Sequence, residues 1–162
     1  MARATVIYDA DCGFCKVCLA VLLTWDRRRV GRAGSAHGRP RPPQLPVRWA
    51  RSAVIGALRP LPLGTAEADR LLADLAVEQR NASWHLVDDA GRRNSAGAAL
   101  APALSLLPGG RIPASLVARM PHITERAYRW VADHRGLLGR FVPERARRWA
   151  DRVIAAHGGP GA

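Results

Sequence analysis

The sequence predicts an α/β fold in which helices cover a small β-sheet. Two observations support this prediction. Short apolar segments rich in β-branched and aromatic residues, at 5–8 and 83–87, each end in aspartates and small residues, as buried strands do before a turn. Elsewhere, apolar residues recur every three or four positions, which is the spacing of helices that pack on a sheet. The expected order is β-α-loop-β-α-β-β-α, followed by further helices.

The first strand and the first helix follow directly from this pattern. Residues 5–8 read Thr-Val-Ile-Tyr and stop at Asp9, which predicts a buried strand followed by a turn. Residues 12–28 predict a helix, and Asp11 is expected to be its N-cap. The stripe expected to pack on the sheet consists of Phe14, Val17, Cys18, Val21, Leu22 and Trp25.

The segment after the first helix changes in composition. Residues 30–46 are rich in glycine and proline and contain no acidic residue, which predicts an extended, basic loop. In residues 47–55, alternating apolar positions predict a strand.

A helix and a hairpin are expected in the middle of the chain. Residues 65–79 have helix-forming composition, with Thr65 as the expected N-cap. The strand at 83–87 is followed by Asp-Asp-Ala-Gly at 88–91, a turn sequence that predicts a hairpin into 92–95.

The remainder of the sequence is expected to be helical. Residues 96–107 predict a small apolar helix that ends at Pro-Gly-Gly, and residues 113–120 predict another short helix. Amphipathic spacing predicts two longer helices at 123–138 and 143–156.

Length and composition predict one domain. The chain has 162 residues, of which 48% are hydrophobic, enough to bury a substantial core. We expect a core domain at 1–118 and a helical C-terminal extension at 119–157 that packs on the same domain. No segment has the roughly 20 apolar residues that a bilayer span requires, and no signal peptide is evident. The sequence therefore predicts a cytoplasmic protein with no membrane span.

The chain is strongly basic, with 25 Lys+Arg against 13 Asp+Glu and a net charge of +12, and Lys16 is its only lysine. An acidic partner, specific nucleic-acid binding and a coding bias towards arginine are alternative explanations. The arginines fall mostly in the acid-free stretch 27–59 and, interleaved with acids, in 119–152. No helix-turn-helix, zinc-finger or RNA-binding signature is present, so specific nucleic-acid binding is disfavoured.

Three cysteines lie within seven residues, an arrangement that suits a site better than a set of stapling disulfides. Cys12 and Cys15 are spaced i and i+3 at the first turn of the predicted helix, about 5 Å apart at their Cα atoms, so a disulfide can join them. The helix N-terminus favours the thiolate of Cys12, which is the expected nucleophile, and Cys15 is the expected resolving thiol. Cys18 is expected to be a small apolar residue of the core.

The same cluster has a second interpretation as a metal site. Its Cys-x-x-Cys-x-x-Cys spacing is similar to part of an iron-sulfur ligand run. A fourth ligand would have to be one of the five histidines, none of which is paired with another at ligand spacing. We therefore predict no cofactor.

The aspartates beside the cysteines suggest a third interpretation. Asp9 and Asp11 follow an apolar strand, as the two catalytic aspartates of haloacid-dehalogenase phosphatases do, and Asp88-Asp89 is similar to the magnesium motif of that family. Gly13 stands where that family usually has Thr or Val, and a lysine at the phosphate position is missing. A hairpin turn is the preferred interpretation of Asp88-Asp89.

Residues 8–15, Tyr-Asp-Ala-Asp-Cys-Gly-Phe-Cys, resemble the Tyr-Asp-Gly-Asp-Cys-x-x-Cys motif of the DCC family of thiol-disulfide oxidoreductases. The resemblance continues in Val-Asp-Asp-Ala-Gly-Arg at 87–92, in Ser-Ala-Gly-Ala-Ala at 95–99 and in a late helix with Tyr128, Ala132 and Arg135. Ala10 departs from the family glycine.

This resemblance implies a thioredoxin-like fold and a redox pair made of Cys12 and Cys15, flanked by the family residues Asp9 and Asp11. We expect Asp9 to be a proton relay or a turn residue bonded to the backbone. The implied substrate is a protein or small-molecule disulfide or thiol. No proline precedes the strand at 83, where a thioredoxin has the cis-proline that faces its disulfide.

Overall fold

A four-stranded mixed sheet with the spatial order β2-β1-β3-β4 forms the centre of the structure. The computed structural model describes the backbone of residues 3–34 and 56–158, with side chains described at 3–27 and 56–158. The strands are β1 (Ala4–Tyr8), β2 (Leu58–Pro62), β3 (His85–Asp88) and β4 (Arg93–Ser95). β1 runs parallel to β2 and antiparallel to β3, and β3 forms an antiparallel hairpin with β4. The predicted α/β class is confirmed, and the layout is thioredoxin-like.

Strands β1, β3 and β4 lie where alternation and turn residues predict them. Val6 and Ile7 are 1% and 0% exposed because successive side chains of a central strand enter opposite faces of the sheet, both of which are covered by helices. The hairpin turn closes at Gly91, whose φ of +76° is strained for other residues. The Asp88 carboxylate accepts the N–H groups of Ala90 and Arg92 at 2.9 Å, which fixes the turn.

Strand β2 was not expected, because its sequence Leu-Arg-Pro-Leu-Pro contains two residues that cannot donate to a ladder. Among residues 3–34 and 56–158, it pairs with β1 alone and lies at the edge of the described sheet. The Leu63 N–H donates to the Tyr8 carbonyl at 2.9 Å, so by alternation the positions of Pro60 and Pro62 have their nitrogens on the outer side. The strand predicted at 47–55 lies outside the described residues.

Helix α1 (Gly13–Gly34) is longer than predicted and continues through residues 30–34, which the sequence assigned to a loop. Arginine-rich segments are good helix formers, and no proline interrupts the chain before Pro40. The buried face also differs from the predicted stripe: Leu19, Leu23 and Asp26 are buried, whereas Val21 is 52% exposed. Helix α7 (Glu144–Ala155) packs along α1, so the buried face of α1 serves a helix as well as the sheet.

The helix predicted at 65–79 is two short helices, α2 (Ala66–Leu71) and α3 (Val77–Ala82). Thr65 caps α2 as expected, and its hydroxyl accepts the Ala68 N–H at 3.3 Å. Between the helices, the Arg80 side chain donates to the Leu75 carbonyl at 2.9 Å and to the Ala73 carbonyl at 3.3 Å. The spacing of apolar residues does not predict these bonds, because they join a side chain to backbone carbonyl groups.

The C-terminal helices agree with the predicted segments. A short 3-10 helix at Ala96–Ala99 leads into α4 (Leu100–Leu106), and α5 (Arg111–Arg119), α6 (Pro121–Arg140) and α7 follow. None of the helices in the described part of the chain combines the length and the apolar character needed to cross a bilayer.

Two apolar clusters lie on the two faces of the sheet. The larger joins β1, α1, α4 and α7, and includes Val6, Leu23, Ala103, Val153 and Ile154. The smaller packs Ile7, Leu61, Leu72 and Val87 beneath α2. Lys16 of α1 also pairs with Asp151 of α7 at 2.8 Å. Residues from α7 therefore share the main core with the sheet.

Candidate functional site

The site lies where β1 ends and α1 begins, and Asp9 organises its backbone. The Asp9 Oδ1 atom accepts the N–H of Asp11 at 2.9 Å and the N–H of Cys12 at 3.2 Å. The expected cap was Asp11, but its side chain is exposed and makes no hydrogen bond with the described residues. The difference is geometric: an acceptor on Asp9 reaches the N–H groups two and three residues ahead, as in an Asx turn.

Cys12 occupies the position directly before α1 and acts as its cap. The Lys16 N–H donates to the Cys12 carbonyl at 3.0 Å, the first helical bond, and the Cys15 N–H donates to the Cys12 sulfur at 3.2 Å. A capping oxygen of Ser or Asp ordinarily accepts this N–H group. The sulfur therefore lies at the positive end of the helix dipole.

Cys15 lies beside Cys12, and both side chains are half-buried. All three cysteines are free thiols. Burial raises the pKa of the Cys15 thiol well above its ordinary value, and the hydrogen bond and charge of Cys12 raise it further, as does the charge of Asp9. The charge of Arg135 acts in the opposite direction and lowers this pKa. Burial and the charges of Cys12 and Asp9 therefore disfavour ionisation of Cys15, whereas the charge of Arg135 favours it.

An apolar pocket of about 500 Å³ opens between α1 and α6 next to Cys15, and we name it the α1–α6 pocket. Phe14, Cys15, Cys18 and Leu22 of α1 form one wall, and Ile123, Ala127, Val131 and Arg135 of α6 form the other. Asp9 and Trp84 also line it, whereas Cys12 does not. Cys18, which was expected in the core, is instead an exposed residue of the pocket wall. Its sulfur is still partly shielded from water, and this desolvation raises its pKa.

Tyr128 and Arg135 reach the site from the far end of the chain, and neither was predicted as a site residue. The Tyr128 hydroxyl accepts the Trp84 N–H at 3.1 Å. Arg135 lies 3.9 Å from Asp9 Oδ2 and donates to the Asn81 carbonyl at 3.3 Å. The late helix motif with Tyr128, Ala132 and Arg135 could have identified them in the sequence. All three residues of this motif line the α1–α6 pocket.

Arg147 of α7 is a further neighbour that sequence reasoning missed. A Cβ atom placed on Gly13 would lie 3.2 Å from the Arg147 Nε atom. The Arg147 guanidinium is held by the Gly139 carbonyl at 2.7 Å. The glycine after Cys12 therefore gives an arginine side chain room to lie against the start of α1.

The structure does not bring Asp88 and Asp89 to the Asp9 site, where the phosphatase interpretation would need a magnesium motif. β1 and β3 are antiparallel, with Ala4 opposite Asp88, so Asp88 lies at the other end of the sheet from Asp9. The separation is at least about 13 Å, the length of the strand between them. Asp88 is bonded to its own turn and to Arg92, and Asp89 accepts the Arg3 N–H at 3.0 Å.

Metal ligation has no supporting cluster in the part of the chain that the structure describes. In residues 3–27 and 56–158, no three His, Cys, Asp or Glu side chains converge on one point.

The basic stretch 27–59 lies largely outside the described side chains. In 119–152, arginines pair along the helix faces, as Arg129 does with Glu125 and Arg148 with Glu144.

Comparison with known proteins gives no relative: the chain matches no family model, no curated protein and no solved structure.

Proposed function

We propose that the protein is a thiol-disulfide oxidoreductase of the DCC type, in which Cys12 is the nucleophile and Cys15 the resolving thiol. The observation that carries the proposal is the bond from the Cys15 N–H to the Cys12 sulfur at 3.2 Å. An anionic sulfur in this position accepts a backbone hydrogen bond and lies at a helix N-terminus, both of which stabilise negative charge. The two residues are one helical turn apart, within the span of a disulfide.

The unequal environments of the two thiols support these roles. Burial holds the pKa of Cys15 high, so this thiol stays protonated until a substrate arrives. A resolving thiol acts after the nucleophile has formed a mixed disulfide, and formation of that bond removes the Cys12 charge that disfavours Cys15 ionisation. Asp9, whose charge acts on Cys15 and whose Oδ2 atom lies 3.9 Å from Arg135, is the proposed acceptor of the Cys15 proton.

The proposed reaction balances as a two-electron exchange. The Cys12 thiolate attacks one sulfur of a substrate disulfide, a Cys12–substrate disulfide forms and one substrate thiolate leaves. The Cys15 thiolate then attacks the Cys12 sulfur, a Cys12–Cys15 disulfide forms and the second substrate thiolate leaves. The protein is oxidised, the substrate is reduced, and solvent protonates the released thiolates. No cofactor is needed in these steps.

A redox titration with mass mapping tests the proposal. The protein is equilibrated in dithiothreitol buffers of graded potential, quenched with an alkylating reagent and digested. We expect a Cys12–Cys15 disulfide that forms reversibly, and we expect Cys15→Ser to accumulate a mixed disulfide on Cys12. Cys18→Ser is the matched control, since it removes a thiol from the same helix and should leave the titration unchanged. A series with no Cys12–Cys15 disulfide, together with co-purified zinc or iron, would favour the metal alternative.

Location and partner complete the proposal. A cytoplasmic location suits clustered thiols that cycle between states rather than staple a fold. The substrate is a protein or small-molecule disulfide or thiol. The surplus of arginine, with a net charge of +12, favours an acidic macromolecular partner on the outer surface of the protein.

A further inference from the structure

We propose that the α1–α6 pocket binds the carbon body of a small, uncharged disulfide and so makes such molecules the preferred substrates of the Cys12–Cys15 pair. This inference rests on the proposed function and adds the substrate class. The pocket has a volume of about 500 Å³, within the range of roughly 300 to 1,000 Å³ that small-molecule sites occupy. Cys15 forms part of its wall, so a ligand in the pocket lies next to the redox pair.

The walls of the pocket favour hydrocarbon. Phe14 and Leu22 of α1 face Ile123 and Val131 of α6 across it, and Leu100 of α4 also lines it. Burial of an apolar ligand surface here is favourable in proportion to the area removed from water. Aromatic and branched aliphatic groups suit these walls, because they fill such a space without polar atoms that need partners.

The charged groups of the pocket favour a ligand with no net charge. Asp9 and Arg135 are the two ionisable groups of opposite sign among the lining side chains, and they lie 3.9 Å apart. Each offsets the other, so a carboxylate on the ligand would compete with Asp9 for Arg135. A charged ligand group would also lose its water in this apolar space, where the only charged side chains that line the pocket are already paired with each other.

The backbone near the pocket is already hydrogen-bonded. The Trp84 N–H, at the start of β3, donates to the Tyr128 hydroxyl at 3.1 Å, and the Thr124 hydroxyl donates to the Val117 carbonyl at 3.3 Å. A peptide-like substrate such as glutathione disulfide would therefore bury amide groups that find few partners. An unpaired buried polar group weakens the binding of a substrate far more than a missing methylene group does.

A small disulfide reacts by the same two exchange steps, with the same balance of electrons. The thiolate of Cys12 attacks the sulfur whose aryl or alkyl group occupies the pocket, and the other half of the disulfide leaves as a thiolate. Cys15 then displaces the bound half from Cys12. The dithiol of the protein supplies both electrons, and an external dithiol such as dithiothreitol restores it.

Filling the pocket tests the inference. Ala127 is exposed at the pocket wall, so Ala127→Trp narrows the space without entering the core. Ala118→Trp is the matched control, because Ala118 is also exposed on a helix but does not line the pocket. Reduced protein is mixed with uncharged dipyridyl disulfide, with dianionic dithiobis-nitrobenzoate and with glutathione disulfide, and the rate of the first turnover is measured. Dipyridyl sulfide, which cannot exchange, reports binding alone by calorimetry.

We expect saturation kinetics with dipyridyl disulfide only, and a loss of about tenfold for this probe in Ala127→Trp. The two charged probes and the Ala118→Trp control should change by less than about twofold. Equal losses for all three probes, or none, would overturn the inference while a reversible Cys12–Cys15 disulfide still upheld the proposed function. Tight binding of dipyridyl sulfide without any Cys12–Cys15 disulfide would instead overturn the proposed function and, with it, the substrate assignment.

Discussion

The carboxylate of Asp26, in the middle of α1, accepts the backbone N–H of Leu58 at 2.9 Å and the neighbouring N–H of Ala57 at 3.0 Å. Asp26 is 0% exposed. A buried carboxylate is costly unless both oxygens are bonded, and here each accepts one N–H group. The arrangement attaches the first helix to the start of β2, the strand that the sequence did not predict.

Substitution of the adjacent glycine should disturb this attachment. A Cβ atom on Gly56 would overlap the Asp26 carboxylate, so we expect Gly56→Ala to lower the free energy of unfolding by about 1 to 3 kcal/mol. Gly136→Ala is the control: it lies within α6 with open space around it and should stabilise the protein by about 0.5 to 1 kcal/mol. Urea denaturation of both variants measures the difference, and an unchanged Gly56→Ala midpoint would contradict the role of Asp26.

The reactivity of Cys15 should respond in opposite directions to its two charged neighbours. The charge of Asp9 raises the pKa of Cys15 and that of Arg135 lowers it. We therefore expect Asp9→Asn to move the pH profile of Cys15 alkylation to lower pH and Arg135→Gln to move it to higher pH, each by up to about one unit, or tenfold in rate at fixed pH. Site-resolved mass spectrometry measures the rates.

Arg129→Gln is the control for this pair, since Arg129 lies on the exposed side of α6 and pairs with Glu125. It should leave the Cys15 profile in place. Shifts of the same sign in Asp9→Asn and Arg135→Gln would mean that structural disturbance, and not charge, controls the thiol.

Acid should destabilise the fold through buried histidine. His85 is 1% exposed, its Nε2–H donates to the Arg80 carbonyl at 3.0 Å, and its Nδ1 atom accepts from the Ser95 hydroxyl at 2.7 Å. Burial lowers the pKa of His85, so the folded state binds its proton less well than the unfolded state does. Stability from this group is complete above the ordinary histidine pKa and is lost as pH falls below it.

The expected decline is about 1.4 kcal/mol for each unit by which the folded pKa lies below the unfolded one. Chemical denaturation between neutral pH and mildly acidic pH measures it. His85→Gln should flatten the decline, leaving the part that comes from buried His157, whose pKa is also lowered by burial. His122→Gln, at an exposed position, should not change it, and a decline of full size in His85→Gln would refute the assignment.

Loss of packing on α7 should destabilise the whole protein. Ile154 is 2% exposed in the larger apolar cluster, so we expect Ile154→Ala to cost about 2 to 5 kcal/mol. The exposed Arg152→Ala is the control and should change stability by less than about 0.5 kcal/mol. A single, shifted unfolding transition is the expected result, because 119–157 is predicted to pack on the same domain. An early, separate transition for the helices would show an independent extension.

The elements that sequence predicted well are those whose pattern arises locally. β1 is a short apolar run before a turn, and the hairpin between β3 and β4 depends on the turn residues at 88–91. The proximity of Cys12 and Cys15 was likewise predictable, because the two residues take their spacing from a single helical turn.

The features that sequence did not predict depend on partners distant in the chain. β2 contains Pro60 and Pro62, which argue against a strand until its place at the sheet edge is known. At the break after α2, Arg80 donates to backbone carbonyl groups, a contact that apolar periodicity does not predict. Tyr128 and Arg135 reach the site only through the packing of α6, so their spacing within one helix could not place them beside Cys15.

The two prolines of β2 also affect how the protein behaves at high concentration. An exposed sheet edge offers rows of free N–H and C=O groups to the strand of another molecule, and this pairing starts many aggregates. Along the outer side of β2, Pro60 and Pro62 remove the donors that such a strand would need. In the described part of the chain, where β2 is the last strand of the sheet, the two prolines therefore leave no backbone N–H at their positions to bond a further strand.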